Sequence, residues 1–149
     1  MPRNPAEKAL SGLERLSALK YLLLLNSVAL ALRWFGLSTV QGYIFKQIQS
    51  VPKIPSDPTK AFRQALELGA YIGFVNHRFN WLQVSCLPES LTVWWLLGRR
   101  GIPSHMRIGV RKVDQRLDGH AWVEVEGQVV SGDPNLAGEY LPMHWVENS

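Results

Sequence analysis

The sequence predicts an α+β fold, with helices in its N-terminal part and a small antiparallel sheet in its C-terminal part. Two observations carry this. From Pro5 to about Gln49, and again after Pro58, apolar residues recur at helical spacing. After Pro103 the period changes to alternation, in three short runs joined by short turns. Helices followed by an antiparallel meander is the pattern of an α+β domain.

The first helical stretch shows Leu10, Leu13, Leu16 and Leu19 at three-residue spacing. Gly36, followed by Ser38, is expected to end one helix and cap the next. Its most apolar run, Tyr21 to Leu32, lies between Lys20 and Arg33. At about 1.5 Å per residue the run is shorter than a bilayer core of ~30 Å, and it reads as a buried helix. The flanking cations leave a peripheral membrane contact open. Pro52, Pro55 and Pro58 mark a linker, since proline blocks both helix and ladder. This divides the chain into an N-terminal helical region (1–50), a linker (51–58) and a core (59–149), within one compact domain overall.

A second helix should start at Asp57 or Thr59, either of which can cap it, and run through AFRQALELGAYIGFVNH. A third should cover Cys86 to Arg100. Pro88 is tolerated only in a first turn, so Cys86 falls at or just before the helix start. Gly101 and Pro103 stop it. The strands are MRIGVRKV, GHAWVEVE and QVVSGD, with turns at Asp114-Gln115 and Glu126-Gly127.

The composition is that of an ordinary globular protein: 46% hydrophobic and 19% charged over 149 residues. One cysteine excludes an internal disulfide and any multi-cysteine metal site, and suits a reducing compartment. No secretory signal precedes the apolar run, so a cytoplasmic location is expected. The net charge of +4 is spread without a dense basic cluster interleaved with aromatics, which argues against a nucleic-acid partner. No phosphate loop or HExxH pattern occurs, and His77, His105 and His144 lack ligand spacing. No metal or cofactor is expected.

Three residues can carry chemistry. Cys86 at a helix N-terminus would have its thiolate favoured by unpaired N–H groups, although lone cysteines are more often small core residues. His120 shares one strand face with Trp122 and Glu124, while Ala121, Val123 and Val125 share the other. If Glu126-Gly127 is a two-residue turn, His120 stands opposite Asp133, within reach of a carboxylate. Glu suits the first position of such a turn poorly. A one-residue shift would instead require Gly132 to bring Asp133 round. Asp118, two residues before His120, is the competing partner. Together the three types form a nucleophile, a base and a group that orients the base.

The stretch from Cys86 to Asn135 resembles the leader peptidases of lasso-peptide biosynthesis, which are transglutaminase-like. The resemblance rests on Cys86-Leu87, Ser90-Leu91, Trp94-Trp95-Leu96-Leu97, Arg100-Gly101-Ile102-Pro103, Ile108-Gly109-Val110 and His120-Ala121-Trp122-Val123-Glu124. It implies a papain-like core, with the cysteine's helix packed on a small sheet. It also implies a Cys86–His120–Asp133 triad acting as a cysteine peptidase on a ribosomally made precursor peptide. Gln83 is the candidate second oxyanion donor, and Glu89 receives no role. The resemblance further implies a separate leader-recognition protein and contact with a macrolactam-forming cyclase. Acyl transfer to an amine, or a non-catalytic scaffold with an inert Cys86, are the alternatives. Trp81, Trp94, Trp95 and Trp122 are candidates for a peptide groove, at least two of them belonging to the core.

Overall fold

A computed structural model describes residues 12–53, 57–80 and 84–143. Three long helices precede a four-stranded antiparallel sheet: α1 (Gly12–Gln49), α2 (Pro58–Phe79), α3 (Cys86–Arg99), β1 (His105–Val113), β2 (Arg116–Val125) and β3 (Gln128–Ser131). A short α4 (Pro134–Ala137) and a two-residue β4 (Leu141–Pro142) follow. The sheet order is β3-β2-β1-β4. The expected α+β succession is present; α4 and β4 carry too little periodicity to be read beforehand.

The helix boundaries follow from local chemistry. Gly36 (φ 78°, ψ 167°) breaks α1 into two helical segments, in a backbone region that side-chain-bearing residues avoid. Asp57 caps α2 by accepting from the Thr59 N–H at 3.0 Å, with Pro58 as first residue. At the end of α3 the Gly101 N–H bonds Gly98 O and the Ile102 N–H bonds Leu97 O, both at 3.0 Å. Gly101 sits at φ 71°. This paired closure satisfies the last carbonyls and tucks Ile102 into the core.

One core joins α1, α2, α3 and strands β1 to β3: Leu25 and Ile44 of α1, Ile72 and Val75 of α2, Leu91 and Leu97 of α3, and Val123 of β2 are almost fully buried within it. The apolar run 21–32 departs from its expected burial. Leu25 and Val28 are in the core, but Leu23 and Leu30 are 63% and 52% exposed. The helix is apolar on both faces, and only one is packed. By length and composition alone, Leu16–Gln49 could cross a membrane.

Both hairpins close with two residues at positive φ, Asp114-Gln115 and Glu126-Gly127. Glu126 accepts this strained conformation (φ 52°) because a two-residue turn keeps Val125, Val123 and Ala121 on the buried face. The register then slips once: Val125 pairs Gln128 and Glu124 pairs Val129, but Val123 pairs Ser131. Val130 is the extra residue of a β-bulge. Its carbonyl lies against α2, where a Cβ on Gly69 would come within 1.9 Å of the oxygen. The bulge therefore sits where helix and sheet backbones nearly touch.

Candidate active site

Cys86 is the first residue of α3. Ser85 caps the helix without a side-chain hydrogen bond. The approach to Cys86 is held by Asn76 of α2, which is fully buried. Asn76 Oδ1 accepts from the Val84 N–H (3.2 Å) and from Asn80 Nδ2 (3.2 Å). Its Nδ2 donates to Val84 O (2.9 Å) and to Glu89 Oε2 (2.7 Å). Those four bonds use the whole capacity of a primary amide. One side chain thus ties the segment before Cys86 to the turn of α3 after it. Asn80 Nδ2 extends the chain of amides to Asn26 of α1 at 3.4 Å.

His120 projects from β2, opposite Gly109 of β1. Its ring stacks on Trp122 (centroids 5.8 Å apart) and leans on Tyr140 (5.2 Å). Gly109 leaves room for this wall: a Cβ there would meet Tyr140 Cβ at 2.7 Å and the Trp122 ring at 2.9 Å. The Tyr140 hydroxyl donates to Asp118 Oδ2 at 2.7 Å, and Arg111 Nε donates to the same oxygen at 3.0 Å. Arg111 also lies over the Tyr140 ring, 4.6 Å from its centroid, and pairs with Glu139. These two bonds, Tyr140's first, hold the Asp118 carboxyl below its usual range.

Burial pushes the His120 imidazole below its ordinary value of 6.5, and Arg111 adds to this. The Asp118 carboxylate is the largest opposing influence, followed by Asp133 and Glu89. The neutral ring, able to accept a proton, is therefore the form present at neutral pH. A folded value below the unfolded one means that the unfolded chain binds the proton more readily. His120 thus contributes stability above about pH 6.5 that is lost as the pH falls through the folded value. Asp118→Asn should move the His120 titration further to acid, as read from its ring-proton shifts by NMR. A titration that stays in place or moves up would show that Asp118 does not act on His120.

The third sequence candidate arrives by the shifted register. The bulge at Val130 removes Asp133 from the position opposite His120 that an unbroken ladder would give. Gly132 (φ 91°) turns the chain, and a Cβ on it would lie 3.4 Å from His120 Nε2. Cys86, His120 and Asp133 line one cavity of about 630 Å³, together with Glu89, Ser131 and Gly132, whereas Asp118 does not line it. Asp133 is exposed, and its Oδ1 accepts from the Asn135 N–H at 2.8 Å at the start of α4. His120 Nε2 and Ser131 Oγ are buried, with no hydrogen-bond partner among the described residues. Two unpaired polar atoms on the lining of one cavity mark a place built to receive a polar group.

Other expectations fare differently. Gln83 and Trp81 lie outside the described residues. Trp94 and Trp122 are buried, and neither they nor Trp95 line the cavity. Glu89, which the sequence gives no role, lines it while its carboxylate accepts from Asn76. Asn76 and Tyr140 carry no signal in the sequence, because nothing in their local strings distinguishes them from packing residues. Among the described residues no group of three His, Cys, Asp or Glu could hold a metal ion.

Comparison with known proteins identifies the family. Residues 22–144 match the family described as the transglutaminase-like superfamily. A stretch of 57 residues is 40% identical to the microcin J25-processing protein McjB of Escherichia coli, covering 38% of this chain and 26% of that protein. The match thus spans about a quarter of the curated relative's length. No solved structure gives a significant match. With a family match that takes in most of α1, all of α2 and α3 and the whole sheet, the chain belongs to the transglutaminase-like superfamily.

Proposed function

We propose that this chain is a cysteine peptidase that removes the leader from a ribosomally made lasso-peptide precursor, in a reducing, cytoplasmic setting. The observation that carries the reading is the shared cavity. It collects a thiol at a helix start, a histidine whose buried ring nitrogen has no partner among the described residues, and a carboxylate two residues beyond a bulged strand. Similarity to a protein named for processing microcin J25 supports the substrate class.

In this reading His120 takes the Cys86 proton, and the thiolate attacks the carbonyl carbon at the leader–core junction. The backbone N–H groups at the start of α3 stabilise the oxyanion. As the C–N bond breaks, His120 returns the proton to the leaving amine, which is the new N-terminus of the core. Water, deprotonated by His120, then opens the thioester and frees the leader as a carboxylic acid. Asp133 orients the imidazole. A separate leader-recognition protein presents the precursor, and a cyclase takes the exposed amine.

Mass spectrometry of a leader–core peptide, incubated with the chain and its leader-recognition protein, tests this. The expected products are a leader ending in a free carboxylate and an intact core. A leader joined instead to an added primary amine, with no hydrolysis, would assign acyl transfer. An uncut peptide with wild-type protein would remove the peptidase reading.

A further inference from the structure

We propose that the outer face of α1 docks on an anionic lipid surface, with the helix lying in the plane of the interface. This inference does not depend on the chemistry of Cys86. At 100° per residue, Leu16, Leu19, Leu23, Leu30 and Trp34 fall within an arc of about 60°. All five are more than half exposed, and Trp34 is 72% exposed. Ala18, Leu25 and Val28, on the opposite side of the same helix, are buried in the core. The stripe runs for about 27 Å along the axis. A soluble surface rarely carries so long an apolar strip without a partner.

The charges choose the partner. Between Leu16 and Gln49 there is no Asp or Glu, and the charged residues are Lys20, Arg33 and Lys46. Lys20 and Arg33 are exposed and lie on either side of the stripe, each about 40° outside it. An apolar strip edged by cations is the pattern of a helix that sinks between anionic headgroups while its lysine and arginine reach the phosphates. Trp34, at the end of the stripe, is the residue type favoured at that depth. A second copy of the chain fits less well. Pairing two such stripes brings cations against cations, with no carboxylate on this stretch to offset them. Crossing the bilayer would pull Leu25 and Val28 out of the core, so the helix docks side-on.

Sedimentation with vesicles tests the proposal. The full chain is mixed with vesicles of phosphatidylglycerol and phosphatidylcholine in equal parts, or of phosphatidylcholine alone. The wild type is expected to pellet with the anionic vesicles, and more weakly as salt is raised. Leu23→Glu/Leu30→Glu should lower the bound fraction by about tenfold or more, because two apolar contacts become anionic. Both positions are exposed, so the thermal melt should be unchanged. If the double variant melts early, Trp34→Ser makes the same comparison. A wild type that ignores anionic vesicles, or variants that bind as well as it does, would overturn the proposal. So would a wild-type dimer that ignores vesicles and becomes monomeric on substitution, which would make the face a self-interface.

Discussion

His120→Ala is expected to slow leader cleavage by roughly five orders of magnitude, as far as Cys86→Ala does, because nucleophile and base act as a unit. Without the imidazole the thiol has no acceptor for its proton, and the leaving amine has no donor. The ring packs against Trp122 and Tyr140, outside the central core cluster, so the fold should survive; circular dichroism and melting check this. The carboxylates separate under the same assay. Asp133→Asn should cost about 10⁴-fold, the size of effect seen when an orienting carboxylate is lost. Asp118→Asn should cost far less, since Asp118 is bonded to Tyr140 and Arg111 and does not line the cavity. The reverse order would transfer the orienting role to Asp118. An iodoacetamide rate at Cys86 that is the same in wild type and His120→Ala would separate the two side chains chemically.

Asn76→Ala is the substitution expected to harm stability most, by about 3–5 kcal/mol. It leaves the Val84 N–H and C=O, the Asn80 amide and the Glu89 carboxylate each short of a partner, at about 1–3 kcal/mol for each group that stays buried. Some of these groups will find water, which is why the figure is less than their sum. The urea midpoint measures it, and a loss below about 1 kcal/mol would mean that the network is dispensable. A second readout distinguishes positioning from stability alone. Under conditions where the variant remains folded, alkylation of Cys86 should still change, because Val84 and Glu89 flank it on both sides. Asn76→Asp keeps the acceptor for the Val84 N–H but loses both donors and sets a second carboxylate against Glu89. It should be no better than alanine.

Much of the fold is legible in the chain because it depends on local chemistry. Asp57 and Pro58 start α2 by themselves, and the Pro88 position sets where α3 begins. Gly36 interrupts α1 because few other residues adopt its backbone angles. The positions of the two turns follow from the alternation on either side of them, whereas the two-residue length at Glu126-Gly127 does not. The site is legible in part for the same reason: a thiol at a helix start and a histidine on an alternating strand are both marked by neighbours in sequence.

The remainder depends on groups distant in sequence. The β-bulge at Val130 has no local signature; it is fitted against Gly69 of α2, where the two backbones approach. That contact decides that Asp133 arrives by way of Gly132 rather than by direct pairing with His120. Tyr140 reaches the imidazole only because Leu141 and Pro142 add to the free edge of β1. Asn76 makes its four bonds to three residues, Asn80, Val84 and Glu89, two of which lie beyond its own helix. The outer face of α1 had the composition of a buried helix, and packing covered one side only. The amino-acid sequence by itself determined which segments are helix or strand and which residue types could react, since caps, turns and periods act over a few residues. Only the tertiary structure decided which polar groups meet and which apolar face stays uncovered, because both depend on how separate elements share a finite core.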